Sequence, residues 1–233
     1  MDERAADPSP EAIAGVLVDV GALIVPGRYR RIDAVARRHG WDRAVLLDHA
    51  VGQVVLPPEP GFAQHPDPDG ARARADRGEA SWGDAMRALA EAVDAAGGPP
   101  WDEQAYWASL TQMPAPADLG PVLQALATCQ GPVGLLATGP AEFADAIDER
   151  VAGARHPIWH TCRLGVGKPD AWAEVIDRIG LSHADPSTIL VIDDAWGSQQ
   201  AMREAGYATM WLDGDDAFDT VRQFVRRWCA ATG

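Results

Sequence analysis

The chain has 233 residues, 47% hydrophobic and 23% charged, with 20 Lys+Arg against 34 Asp+Glu and a formal net charge of −14. Such a composition belongs to a globular chain long enough to bury a core without disulfide staples. The acidic balance argues against nucleic acid or an anionic membrane surface as a partner, because those contacts need clustered Lys and Arg.

The opening MDERAADPSPEA is acidic and polar where a secretory signal would be basic and then apolar. No later apolar run reaches the ~18 residues of a membrane span. From Ala14 to Val20 the chain is apolar and β-branched and contains one acid, Asp19, the pattern of a buried parallel strand. Residues 28–112 then change character. Helical periodicity runs over Tyr29 to Arg38, Trp41 to Val51, Ser81 to Ala96 and Asp102 to Leu110. A Pro-rich loop spans Leu56 to Gly70, and Pro/Gly punctuation flanks the whole segment at Val25-Pro-Gly and Met113-Pro-Ala-Pro. Strand-like runs resume at Pro132 to Ala137, His156 to His160, Ser187 to Asp193 and Ala208 to Asp213. Helical patterns lie between and after them, at Ala141 to Val151, Asp170 to Ile179, Ser198 to Ala205 and Phe218 to Cys229. Alternating strands and helices predict an α/β fold, a Rossmann-like parallel sheet core over 1–27 and 113–233 with an all-helical cap inserted at 28–112. Cys129, Cys162 and Cys229 are odd in number, widely spaced and without a C-x-x-C pair. That points away from a disulfide framework or a zinc–thiolate site and toward the reducing cytoplasm.

Ligands of open α/β sheets bind at the carboxyl ends of the strands. Those ends carry Asp19, Thr138-Gly139 and Asp193-Asp194, with Gly165-Val-Gly-Lys168-Pro169 before a helix. Three carboxylates at neighbouring strand ends repel one another unless a cation offsets them, and hard oxygen donors suit Mg²⁺. An Asp beside Mg²⁺ and a lysine has the equipment to attack a phosphoryl group. Lys168 is the only lysine among the 20 basic residues; base composition accounts for scarce lysine, and if it converts lysine to arginine wherever either serves, the remaining one marks where a compact ammonium is required. Gly165-Val-Gly-Lys168 lacks the first Gly and the closing Ser or Thr of a P-loop. His156 and His160 read as structural, because Pro157 breaks the helix that would align them. Asp213-Gly-Asp-Asp216 reads as helix capping rather than a calcium loop. Trp82, Trp107, Phe62 and Tyr106 are candidates either for packing or for lining a substrate pocket.

In order and spacing, Val16-Leu-Val-Asp19-Val-Gly-Ala-Leu-Ile24, Gly167-Lys168-Pro169-Asp170 and Val191-Ile-Asp193-Asp194 resemble motifs of the haloacid dehalogenase superfamily, in its branch with a helical cap after the first strand. Asp76-Arg-Gly-Glu79-Ala-Ser-Trp82 is similar to a segment common in such caps. The resemblance spans Ala14 to Leu212 and implies Asp19 as nucleophile and metal ligand. It implies Lys168 as the residue stabilising Asp19 and the phosphoryl oxygens, and Thr138 and Gly139 at the phosphate. Mg²⁺ would be held by Asp19, the Gly21 carbonyl and Asp194, with Asp193 a further or supporting ligand. The implied activity is Mg²⁺-dependent hydrolysis of a small phosphorylated metabolite through an aspartyl-phosphate on Asp19. The sequence departs from the pattern at Gly21, where phosphatases usually carry a second Asp as general acid, at Ala137 in the motif's hydroxyl position, and at Ser198 in place of a frequent Asn. Missing the acid favours leaving groups that need little protonation, such as acyl, anomeric or aryl phosphates. Two alternatives stay open: a weak or inactive relative that binds a ligand or partner, and a dehalogenase in which Asp19 attacks carbon. The apolar helical faces of the cap suit either the core or a second copy of the chain, so a homodimer is also an expectation.

Overall fold

A computed structural model describes residues 9–24, 27–111, 120–152, 155–212 and 216–232. Five parallel strands form one sheet: β1 (Gly15–Asp19), β2 (Val133–Ala137), β3 (Ile158–His160), β4 (Ile189–Asp193) and β5 (Ala208–Trp211), in the order β3-β2-β1-β4-β5. Every residue of β1, β2 and β4 is buried, which is why these strands are continuous apolar runs rather than alternating ones.

Six of the helices between β1 and β2 lie in the predicted insert or at its entrance: α1 (Val20–Ile24), α2 (Arg28–His39), α3 (Arg43–Val51), α4 (Ala71–Asp76), α5 (Trp82–Ala95) and α6 (Glu103–Thr111). The core adds α7 (Gly120–Thr128), α8 (Ala141–Arg150), α9 (Thr161–Leu164), α10 (Asp170–Arg178), α11 (Trp196–Glu204) and α12 (Ala217–Thr232). Sequence periodicity missed α1, α4, α7 and α9. The four-residue α9 and six-residue α4 are too short to show a helical repeat. The linker Met113 to Asp118 and the acids Asp213 and Asp215 fall outside the described residues.

Strand alternation sends side chains to two layers. Val16, Val18, Leu135 and Ile192 pack with Leu126 of α7 and with Phe224 and Trp228 of α12. Leu17, Leu136 and Val191 point the other way, onto Trp172 and Val175 of α10 and Met202 of α11. Gly134 is needed for the second layer, because a Cβ there would stand 2.5 Å from Val175 Cγ1. The insert buries a third cluster that includes Leu46, Leu47, Leu56, Leu89 and Tyr106. It is tied to α11, since Gly197 N–H donates to Val54 O at 2.8 Å. Gln64 anchors the Pro-rich loop, its Oε1 accepting from Val55 N and Leu56 N, both at 3.0 Å.

One expectation is overturned. Cys129 and Cys229 form a disulfide, with Cα atoms 4.7 Å apart and 100 residues between them in sequence. Their spacing hid the pairing; it arises because α7 and α12 pack side by side on one face of the sheet. Cys162 is free. Among the described residues no helix is long and apolar enough to cross a membrane.

Candidate active site

Parallel pairing of β1 with β4 sets Val18 opposite Ile192, so Asp19 emerges beside Asp193 and Asp194 at the carboxyl edge of the sheet. All three are buried, and one oxygen from each lies within 4.8 Å of the others. Lys168, on the loop between α9 and α10, enters from the side. Its Nζ stands 2.9 Å from Asp193 Oδ2, 3.3 Å from Asp19 Oδ1, and over the Trp172 ring.

The neighbouring acids Asp193 and Asp194 have different surroundings. Asp193 Oδ1 accepts from Ala195 N at 3.0 Å, and its Oδ2 accepts from Ser198 Oγ at 2.7 Å and faces Lys168. Ser198 in turn accepts from Trp172 Nε1 at 3.0 Å. Asp193 is therefore held by its own surroundings and orients Lys168. Asp194 Oδ2 accepts no hydrogen bond and meets only an ion-pair partner.

That partner, Arg28, escaped sequence reasoning. It opens α2, the first helix of the insert, directly after Gly27 in the left-handed region with φ of 67°. Arg28 Nη2 is 3.4 Å from Asp19 Oδ2, its Nε is 3.4 Å from Asp194 Oδ2, and it donates to the Tyr29 hydroxyl at 2.5 Å. A Cβ on residue 21 would lie 2.5 Å from Arg28 Nη1, so the guanidinium fills the space that a side chain at Gly21 would use. Missing side-chain volume at Gly21 was the sequence signal, but nothing in the pattern says which residue occupies it.

Burial alone would raise the Asp19 carboxyl; Lys168 and Arg28 outweigh it and hold Asp19 below the ordinary carboxylate range. Burial raises Asp194 well above that range, because Arg28 only partly offsets the adjoining Asp19 and Asp193 charges. Of the two, Asp19 is the one held as an anion and Asp194 the one whose ionised form burial opposes. Lys168 loses ground to burial but is raised overall by Asp19 and Asp193, so it stays ammonium. With all three carboxylates ionised, as metal ligation requires, Lys168 and Arg28 leave one negative charge in excess. That excess, the hard oxygen donors and an Asp194 Oδ2 that accepts no hydrogen bond fit a divalent cation.

Beside this centre, between the sheet edge and the insert, lies a cavity of about 390 Å³. Thr138, one residue beyond β2, lines it, and its buried Oγ1 has no hydrogen-bond partner among the described residues. No atom stands within 4 Å of a Cβ placed on Gly139, so the backbone there is open. Trp82, Tyr106 and Trp107 line the cavity as the pocket reading anticipates. Phe62 does not; it is buried beneath the Arg43 guanidinium. His160 pairs with Asp148 at 2.7 Å and His156 with Leu126 O at 3.1 Å, away from the site.

The sequence matches no protein-family model, and no curated protein matches it. Solved structures do match. The L-2-haloacid dehalogenase RSc1362 aligns with a TM-score of 0.55 at 19% identity, covering 92% of this chain and 99% of its own. A predicted HAD-like family hydrolase from Porphyromonas gingivalis aligns at 0.52 and 16% identity, covering 92% and 98%. A HAD family enzyme from Bacteroides thetaiotaomicron, in complex with magnesium and inorganic phosphate, aligns at 0.51 and 14% identity, covering 85% and 93%. The chain thus has the fold of haloacid dehalogenase-like hydrolases.

Proposed function

We propose that the chain is a hydrolase that cleaves a small phosphate monoester by nucleophilic attack from Asp19, with Mg²⁺ as cofactor and residues 28–112 as a cap over the core formed by 1–27 and 113–233. One observation carries this reading: three buried strand-end carboxylates converge beside buried Lys168 and Arg28, and when all three are ionised one negative charge is uncompensated. A site that only attacked carbon and released halide would have no use for that excess.

Asp19 attacks phosphorus as an anion, a state that Lys168 and Arg28 preserve. Backbone N–H groups of Gly21 and Ala22, 3.3 and 3.2 Å from its two carboxylate oxygens, orient it. Lys168 balances charge on the phosphoryl oxygens, and Asp193 with Ser198 keeps its ammonium in place. The Thr138 hydroxyl and the backbone at Gly139 receive the remaining oxygens. Mg²⁺, held by Asp19, Asp194 and the Gly21 carbonyl, would supply Lewis-acid neutralisation of the phosphoryl group. Water then cleaves the aspartyl-phosphate and restores Asp19.

Arg28 favours a second reading. A fixed cation against Asp19 and Asp194 lowers the cost of the acid cluster in a metal-free site, and with it that of a dehalogenase reaction. Rates with phosphate esters and with 2-chloropropionate, with and without Mg²⁺, decide between them. The expected result is Mg²⁺-dependent phosphate release abolished by Asp19→Asn. Halide release without metal, and no phosphate release, would overturn the phosphatase assignment. Turnover of neither substrate class would leave a binding protein.

A further inference from the structure

The geometry points to an aryl phosphate monoester as the substrate, its aromatic ring held by the cavity walls and its departing oxygen stabilised by Arg28 in place of a proton donor. This rests on the phosphatase reading above and names the substrate class of that same site.

Aromatic rings form the walls. Trp82 of α5 packs edge-on against Phe143 of α8 with centroids 5.3 Å apart, which joins the insert to the core across the cavity. Trp107 of α6 continues the surface 6.1 Å from Trp82, with Tyr106 5.3 Å beyond it. Phe143 is 40% exposed, and among the described residues it is the exposed large hydrophobic side chain. An apolar ring beside the cavity mouth, left uncovered by the fold, gains from a flat apolar ligand. The volume of about 390 Å³ suits one aromatic ring with its phosphate.

The chemistry of the floor supports the same class. Among the described residues, no Asp, Glu or His lines the cavity; its cations are Arg28 and Arg72. Its two phenols are poor acids: burial pushes Tyr106 up to about 12 and Tyr29 well above its ordinary value. Where a proton donor would project from position 21, the guanidinium of Arg28 stands instead. Arginine stays protonated at any working pH, so it offers charge and not a proton. As the Asp19 Oδ–P bond forms, the P–O(aryl) bond breaks and the aryloxide leaves with its electron pair. Arg28 stabilises that anion, which takes its proton from solvent. Water then attacks phosphorus, the Asp19 O–P bond breaks, and inorganic phosphate forms. An alkoxide is far more basic than an aryloxide, and a fixed charge does not replace the proton it needs.

Three esters separate the two parts of the proposal: phenyl, benzyl and cyclohexylmethyl phosphate, assayed with the full chain and Mg²⁺. Phenyl phosphate is expected to exceed benzyl phosphate in kcat by about 100-fold or more, the typical worth of a positioned general acid. Benzyl phosphate is expected to show a KM about 10-fold below that of its saturated analogue, from ring–ring contact. Trp107→Ala removes the KM difference and leaves the kcat ratio. Gly21→Asp, which only the flexible end of Arg28 opposes, narrows the kcat ratio by raising benzyl turnover. Equal kcat for phenyl and benzyl esters, or equal KM for benzyl and cyclohexylmethyl esters, overturns the aryl assignment while the phosphatase reading stands. No turnover of any of the three, with Mg²⁺ present, overturns both.

Discussion

Replacing Arg28 with alanine is expected to tighten Mg²⁺ binding. In the wild type the guanidinium lies 3.4 Å from both Asp19 and Asp194, the two carboxylates that would hold the ion. A divalent ion entering there must displace these contacts or share the carboxylates with a nearby positive charge. Hydrogen bonds to charged groups contribute about 1.5–3 kcal/mol each when well formed. Contacts as long as 3.4 Å belong at the lower end, so the two together oppose the metal by about 2–3 kcal/mol. At about 1.4 kcal/mol per tenfold, removing them strengthens binding roughly 30- to 150-fold. The net charge of the cluster also falls from one to two negative charges. Calorimetric titration of metal-free protein with MgCl₂ at low salt measures the change directly, and the melting temperature at fixed Mg²⁺ gives an independent reading. Unchanged or weaker affinity in Arg28→Ala would refute the reasoning. It would mean that the guanidinium and the ion do not compete for the same oxygens.

Ser198→Ala deprives Asp193 Oδ2 of a donor and leaves the buried Trp172 Nε1 without an acceptor. The expected cost is about 1–3 kcal/mol, seen as a melting temperature lower by roughly 3–10 °C; an unchanged melt counts against the Ser198–Trp172 support. Thr138→Val is expected to leave stability unchanged or slightly improved, because its buried hydroxyl has no protein partner, while weakening inorganic phosphate binding. Destabilisation with unaltered phosphate affinity would assign Thr138 to packing instead. For Asp194→Asn the effect is on pH dependence. The folded-state pKa is raised above the unfolded value of about 3.9, so folding takes up a proton, and metal-free wild type loses stability as pH rises from about 4 through the raised value. The variant is expected to flatten that slope, to melt higher than wild type at neutral pH without metal, and to gain nothing from Mg²⁺. A parallel pH profile for the two proteins would show that Asp194 is ionised even without a cation.

The fold and much of the site were legible from local pattern. A buried parallel strand is a short apolar run, and the acids at the ends of β1 and β4 are covalently attached to such runs, so Asp19, Asp193 and Asp194 mark both the strand ends and the candidate site. Lys168 stood out because it is the lone lysine in an arginine-rich chain. Asp193 and Asp194, alike in sequence, differ in the structure: one is saturated by Ala195, Ser198 and Lys168, and the other is left to Arg28.

Sequence by itself determined the alternation of strands and helices, the helical segment after β1, and the acids and lysine at the sheet edge. Each of these depends on periodicity or on residues near one another along the chain. Tertiary structure alone decided the rest. Arg28 reaches Asp194 across 166 residues of sequence, Trp172 supports Ser198 across 26, and α7 meets α12 to join Cys129 with Cys229 across 100. Contacts of that span leave no local signature, because the chain satisfies them by packing whole elements together. The placement of the Arg28 cation beside Asp19 is therefore a property of the fold, and in the proposed reaction it bears on which leaving group is released.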